Sequence, residues 1–139
     1  MVDRELISKK VNLIRYHLER IFLKSNISLD EFLNDVDSKD IVCHNLFILL
    51  QNIIDICSHI ISDEGLEEPT FYSDMADILA KGKVIREDLK QPLKNMIGLR
   101  NIIAHQYGDI DFNIIYKIVK EDIKDVYKLL EDVINYSRL

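Results

Sequence analysis

An arginine, a histidine and a tyrosine occur within eight residues of one another in the segment GLRNIIAHQYGDID, residues 98–111. Histidine can donate or accept a proton near neutral pH, and arginine is a permanent cation whose planar N–H groups fit phosphate oxygens. Arg100 and His105 could therefore hold a phosphate and move a proton at a ribose hydroxyl. The same residue types also cap and salt-bridge helix ends, so the residues alone leave both interpretations open.

The spacing of these residues on a helix decides which of them can meet. Asn101 and His105 are four residues apart and share a face, so the amide of Asn101 can bond the imidazole and select its tautomer. Arg100 lies five residues before His105, about 140° around the helix, so the two cannot meet head-on from one helix. A groove with another element, or a second copy of this helix, must bring them together.

The four residues Arg100, Asn101, His105 and Tyr107, near the end of a long helix, resemble the signature of the HEPN superfamily. The longer string IREDLKQPLKNMIGLRNIIAHQYGDID resembles the HepT-like branch, and the resemblance extends from the first helix to the last. It implies an all-α, HEPN-like fold that forms a two-fold homodimer. It also implies a metal-independent endoribonuclease, the toxin of a type VII toxin–antitoxin pair whose antitoxin is a minimal nucleotidyltransferase (MNT).

The resemblance implies a role for each motif residue. The ribose 2′-OH of an mRNA or tRNA would attack the adjacent phosphate, with His105 as general base or acid and Arg100 stabilising the developing charge. Asn101 would orient His105. Tyr107 resembles the tyrosine to which the nucleotidyltransferase attaches AMP, which would block the cleft with bulk and negative charge. No cofactor is implied.

A polar line crosses an otherwise apolar helix upstream of the motif. Gln51, Asp55, His59 and neighbouring serines recur at four-residue spacing, and buried polar groups need partners. Asp55 and His59 are therefore candidate supporting residues that could contact the motif helix across a dimer seam. An ordinary solvent-facing stripe with an Asp–His pair is the alternative.

Composition limits the class of protein. The chain has 139 residues, 47% apolar and 30% charged, with four Gly and no Trp, which predicts one packed helical domain over residues 1–139. The N-terminal segment lacks the apolar run of a signal peptide or membrane span, so we expect a cytoplasmic protein with no membrane association. Cys43 and Cys57 lie too far apart on one helix for a disulfide and lack metal-ligand spacing, so we expect buried thiols and no metal site.

Charge is distributed unevenly along the chain. The net charge of −6 argues against non-specific nucleic-acid binding, because phosphate backbones select basic surfaces. The segment 81–100, however, carries six basic residues and only two acidic ones. It could form a local basic face, or an ordinary solvated helix face of mixed charge.

Apolar periodicity predicts an antiparallel bundle of four main helices plus one or two short ones. The long helices are expected at residues 9–24, 40–62, 84–106 and from Asp109 or Asp111 onward, with Pro92 bending the third and Gly108 ending it in a left-handed conformation. Ser28 should cap a short helix, and Gly82 should stop another. The helix at 40–62 is apolar nearly all round, which predicts enclosure by neighbours or by a partner chain.

Two other classes of function remain open at this point. One is a non-catalytic HEPN-like helical dimer that binds nucleotides or a protein helix in the same groove. The other is a plain helical dimerisation protein. RNA binding without cleavage would select the first, and the absence of both would select the second.

Overall fold

The computed structural model describes all 139 residues as helices and connecting turns, without strands. Its α-helices are α1 (Arg4–Ser25), α2 (Leu29–Asn34), α3 (Val36–Asp63), α4 (Asp74–Lys81), α5 (Lys90–His105), α6 (Phe112–Lys117) and α7 (Ile123–Ser137). Single 3-10 turns occupy Glu87–Leu89 and Tyr107–Asp109, and a π-helical turn, Ile118–Asp122, joins α6 to α7. The predicted all-α architecture is confirmed, with α1, α3, α5 and the α6–α7 rod as the main helices.

The central helix, α3, owes its position to its composition. Fourteen of its 28 residues are buried, and its N-terminus is capped by Asp35, whose side chain accepts from the backbone N–H of Ser38. The helices α1, α2, α4 and α5 all pack against it, α1 along the greatest length. Its own chain therefore encloses α3, and the apolar circumference of this helix does not by itself require a second chain.

The length and apolarity of α3 would also suit a membrane span. In the protein, 61% of its most apolar stretch of 18 residues is buried inside the bundle. A core helix of a helical bundle has the same composition, because it too is surrounded by apolar side chains.

Side-chain caps form where the sequence predicts them. Ser28 accepts from the backbone N–H of Glu31 and so caps α2, and its hydroxyl donates to the Glu31 carboxylate, which takes the place of the backbone N–H that a full capping box would use. Asp111 accepts from the backbone N–H of Asn113 and so caps α6. Both interactions involve neighbours in sequence, which explains why they could be predicted.

Three expectations about where helices bend, end or continue were wrong. Pro92 does not bend a long helix, because α5 begins at Lys90 and the proline lies in its first turn, where no N–H is needed. Gly108 lies in a 3-10 turn and is not left-handed; the left-handed residue after α4 is Lys83, with φ of 59°. The last helix is interrupted by the π-helical turn.

One contiguous core of 35 buried apolar residues joins the helices. Cys43 and Cys57 belong to this core as free thiols, as predicted. Burial raises the pKa of the Cys43 thiol to about 11 and that of Cys57 to about 12. Both thiols are therefore protonated at neutral pH and pack as small apolar side chains.

Candidate active site

Arg100 is held against α3 by neutral partners. Its Nε donates to Oε1 of Gln51 at 2.9 Å, and its Nη1 donates to Oδ1 of Asn101 at 2.7 Å. The guanidinium carbon also lies 5.9 Å from the centre of the Tyr72 ring, a distance at which a cation is attracted to the ring face. These contacts fix the guanidinium without neutralising its charge.

Three of the other five cations of the segment 81–100 form ion pairs within the chain. Arg86 forms ion pairs with Glu131 and Asp132, while Lys90 and Lys94 pair with acidic side chains that include Asp77. Arg100 forms no salt bridge, and two of the five N–H groups of an arginine are used, which leaves Nη2 and one N–H of Nη1. The predicted basic face is therefore reduced by ion pairing, whereas Arg100 keeps donors for an anion.

The Gln51 amide is itself fixed from behind. Its Nε2 donates to Oδ1 of Asp55 at 3.0 Å, and the other oxygen of Asp55 accepts from Lys10 Nζ at 3.2 Å. The chain Lys10–Asp55–Gln51–Arg100 thus runs from α1 through α3 to α5. Within one chain, Asp55 therefore reaches the motif arginine through Gln51.

His105 does not take part in this chain of hydrogen bonds. It is the last residue of α5, its side chain is exposed, and no side-chain hydrogen bond reaches it. The expected bond from Asn101 to His105 is absent, and the Asn101 oxygen accepts from Arg100. As its helical position predicts, His105 is turned away from Arg100 on the same helix.

Tyr107 binds a different part of α3. Its hydroxyl donates to Oδ1 of Asp40 at 2.8 Å, and its ring packs edge-on against Phe112 with centroids 6.5 Å apart. Burial and the Asp40 carboxylate raise the pKa of the Tyr107 phenol well above its usual value of 10.0. The side chain is still 42% exposed, so the phenol can be approached from solvent.

Arg100 and Tyr107 therefore contact α3 at separate points. Gln51 and Asp40 are eleven residues apart, which is about 16 Å along the helix axis at 1.5 Å per residue. Within one chain the structure brings Arg100 to Gln51 and Tyr107 to Asp40, but it does not gather the motif residues into one cluster.

His59 is the remaining candidate residue, and the structure also reveals contacts that the sequence did not indicate. His59 is half-buried and has no side-chain hydrogen bond within the chain. Sequence reasoning missed Lys10, Asp40 and Tyr72, because each is distant in sequence from the residue it contacts. Gln51 had a detectable signal, since it shares the four-residue spacing of the polar line. No three His, Cys, Asp or Glu side chains lie close enough together to hold a metal ion.

The outward face of α5 is exposed to solvent. At four positions around the motif it carries neither an acidic side chain nor a lysine. Gly98, Asn101, Ile102 and His105 share this face, at three- and four-residue spacing, and Ile102 is 43% exposed. A Cβ atom added at Gly98 would meet no atom within 4 Å. Packing within the chain therefore does not require glycine at this position.

Comparisons with known proteins agree with this architecture. A family model described as "Ribonuclease HepT-like" matches residues 14–133. The mRNA nuclease HepT of Shewanella oneidensis is 31% identical over 101 residues, which cover 73% of this chain and 76% of that protein. The tRNA nuclease HepT of Aphanizomenon flos-aquae is 28% identical over 120 residues, covering 85% of this chain and 80% of that protein.

A solved structure extends the likeness to the tertiary fold. The tri-AMPylated HEPN toxin of Shewanella oneidensis, in complex with an MNT antitoxin, has a TM-score of 0.85 and 28% sequence identity to this chain. The alignment covers 96% of this chain and 98% of the toxin.

Proposed function

Since this chain belongs to the HepT-like ribonuclease family, we propose that it is an endoribonuclease toxin that cleaves mRNA or tRNA without a metal ion. The observation that carries this proposal is the state of Arg100. Its guanidinium is fixed by Gln51 and Asn101, has no carboxylate partner and retains N–H donors. Such a cation can bind a phosphate and stabilise the negative charge that develops there during cleavage.

The proposed reaction is an internal transfer at phosphorus. The ribose 2′-OH attacks the adjacent phosphate, the bond to the 5′ oxygen breaks, and a 2′,3′-cyclic phosphate forms. His105 takes the 2′-OH proton or supplies a proton to the leaving oxygen, and Arg100 stabilises the phosphorane-like transition state. The exposed imidazole at the end of α5 is accessible to a large substrate.

A two-fold homodimer through the outward face of α5 would unite these two residues. If two copies of α5 cross antiparallel near residues 102 and 103, Arg100 of one subunit would lie at the same level along the helix pair as His105 of the second, and the long Arg100 side chain would reach past the edge of the seam toward it. The open side of Gly98 would allow the close approach of two helices, and the exposed Ile102 would be buried there. Asp55 would support Arg100 through Gln51, while His59, unbonded within its own chain, would be available to the second subunit.

We further propose that a nucleotidyltransferase antitoxin neutralises this protein by attaching AMP to Tyr107. The similar Shewanella toxin is AMPylated and bound to an MNT antitoxin. The Tyr107 phenol is partly exposed just beyond the motif helix. Tyr107 and Arg100 of one chain contact α3 at points about 16 Å apart. The phosphate attached to Tyr107 would therefore compete with RNA in the cleft that the two subunits share, and not at the Arg100 of its own chain.

Alanine substitution tests the chemistry. Arg100→Ala and His105→Ala should each lower RNA cleavage by at least about a hundredfold without unfolding the protein, because each removes a group that serves the transition state. Cleavage should persist in EDTA and leave 2′,3′-cyclic phosphate ends. Lys81→Ala, which removes an exposed cation from the same basic segment, should cleave at the wild-type rate.

Three results would contradict the proposal. A His105→Ala protein with the parent rate would refute the assigned role, and a strict requirement for Mg²⁺ would indicate a different chemistry. RNA binding without cleavage by the wild type would favour the non-catalytic binding module.

The regulatory part of the proposal is tested at Tyr107. Tyr107→Phe should retain cleavage and escape neutralisation by an MNT antitoxin with ATP and Mg²⁺. Mass spectrometry should find AMP on Tyr107 of the wild type.

A further inference from the structure

The hydrogen bond between Tyr107 and Asp40 joins residues that are 67 positions apart in sequence. Asp40 lies on the second turn of α3, and Tyr107 follows the end of α5. The phenolic oxygen is 2.8 Å from Oδ1 of Asp40, and the edge contact with Phe112 fixes the ring. The phenol proton therefore already points at a carboxylate before any partner binds.

A tyrosine that accepts a nucleotidyl group must lose its proton as its oxygen attacks phosphorus. The pKa of Tyr107 is raised, so its phenolate is scarce at neutral pH. Attack thus requires a base that removes the proton as the new bond forms. Asp40 is the only side chain that hydrogen-bonds this hydroxyl.

We propose that Asp40 is the catalytic base for nucleotidylation of Tyr107, an inference that rests on the proposed function and assigns one of the reacting groups to the toxin itself. The Tyr107 oxygen forms a bond to the α-phosphorus of ATP, and the bond from that phosphorus to the β-bridging oxygen breaks. Pyrophosphate leaves with the electron pair. The phenol proton passes to the Asp40 carboxylate and then to water.

The surroundings of this pair leave room for a nucleotide. A groove of about 450 Å³ opens beside Tyr107, lined by both apolar and polar side chains. The residues that line it include Asp40, Cys43, His44, Phe47, Ile103 and Tyr107. The other ionisable groups near the pair are Cys43 and His44 in this groove, Lys39, whose Nζ lies 5.0 Å from the Phe112 ring, and His105, two residues earlier in the chain.

The product cannot keep the bond that activates the reactant. Once esterified, the Tyr107 oxygen has no proton to donate, and the attached phosphate places a negative charge beside the Asp40 carboxylate. The modified Tyr107 side chain should therefore move away from Asp40. It would then be free to enter the cleft between the two subunits.

The first test measures AMP transfer to the full-length protein by the Shewanella oneidensis MNT antitoxin, or by a cognate nucleotidyltransferase, with ATP and Mg²⁺. Under single-turnover conditions, Asp40→Asn should slow transfer to Tyr107 about a hundredfold, the range of general-base catalysis. Its rate should also rise more steeply with pH than that of the wild type, because hydroxide must remove the proton. Asp37→Asn, an exposed acidic residue one turn earlier on α3, should match the wild type.

The second test needs no antitoxin. N-acetylimidazole transfers an acetyl group to tyrosine oxygens, and mass spectrometry can follow the rate at Tyr107. The wild type should be acetylated there at least about tenfold faster than Asp40→Asn, by the same general-base argument. Thermal unfolding of each variant confirms that the comparison is made between folded proteins.

The outcomes separate this inference from the proposed function. Equal or faster transfer and acetylation in Asp40→Asn would overturn it and make Asp40 a tether that shields the phenol. If the wild type receives no AMP from any nucleotidyltransferase, the regulatory part of the proposed function fails, and the acetylation rates still decide whether Asp40 acts as a base. A slow Asp40→Asn protein with an unchanged pH profile would also contradict a base.

Discussion

The amide of Gln51 holds the guanidinium of Arg100, with 2.9 Å between Gln51 Oε1 and Arg100 Nε, although the residues are 49 positions apart. A neutral amide suits this task. It fixes the orientation of the cation and leaves its charge available to an anion, whereas a carboxylate would neutralise the charge. Gln51 is therefore a positioning residue for the proposed cleavage.

Gln51→Ala should lower kcat for RNA cleavage about 10- to 100-fold, because one hydrogen bond to a charged group contributes about 1.5–3 kcal/mol. KM should change much less. Gln51→Glu should weaken RNA binding as well, since its carboxylate would compete with phosphate for Arg100. Gln91→Ala serves as the control, because Gln91 is exposed on α5 and bonds only Asn95. Equal kcat values for wild type and Gln51→Ala would remove Gln51 from the mechanism.

Gly98→Ala should have opposite effects on the subunit and on the dimer. A glycine inside a helix costs about 0.5–1 kcal/mol relative to alanine, and space is open at Gly98, so the free energy of unfolding of the isolated subunit should rise. A helix that approaches closely at Gly98 would meet the added methyl, so dimerisation should weaken. Sedimentation against concentration, alongside thermal unfolding, measures both effects.

The Gly98 experiment has a matched control in Asn12→Ala, at an exposed position of α1. That change should raise helix stability slightly and leave association unaltered. A dimer that is tighter in Gly98→Ala than in the wild type would place the interface elsewhere.

Acid should remove part of the stability through Asp132. Burial raises the pKa of this carboxyl, but hydrogen bonds from the Arg86 side chain and backbone outweigh that effect and hold the pKa below its usual value of 3.8. A carboxyl with a lowered pKa stabilises the folded state above its unfolded pKa, and that stability is lost as the pH falls through the folded pKa. Asp132→Asn should therefore lower Tm at pH 7, and the difference from wild type should shrink below about pH 4.

Glu121→Gln provides the control for this pH dependence, because Glu121 is exposed and forms no salt bridge. Its Tm should follow that of the wild type throughout. A difference between Asp132→Asn and wild type that stays constant down to pH 2 would contradict the assignment of acid sensitivity to this pair.

Alkaline titration should detect the bond from Tyr136 to Glu64. The 2.6 Å hydrogen bond to the carboxylate, together with burial, raises the pKa of Tyr136 to about 12. This contribution to stability is complete below the ordinary tyrosine pKa of 10.0 and is lost as the pH rises through the folded value. In Glu64→Gln, near-ultraviolet absorbance should show one tyrosine ionising at lower pH, and Tyr136→Phe identifies that residue. An unchanged titration curve would refute the coupling.

Local features of the sequence were sufficient to predict the helices and their caps. The caps by Ser28 and Asp111 and the burial of Cys43 and Cys57 depend on neighbours within one turn or on one helical period. The errors at Pro92 and Gly108 concern where one helix ends and the next begins. Such boundaries depend on small differences between α, 3-10 and π hydrogen bonding, which apolar periodicity does not resolve.

The sequence by itself determined the all-helical fold class and the opposite directions of Arg100 and His105, because both follow from the helical period of 3.6 residues. Only the tertiary structure decided that Arg100 meets Gln51, that Asp55 acts behind it, and that Tyr107 reaches Asp40. Each of those contacts depends on how far α5 is shifted along α3. That shift is set by the packing of side chains from several helices at once, and no local pattern in either helix encodes it.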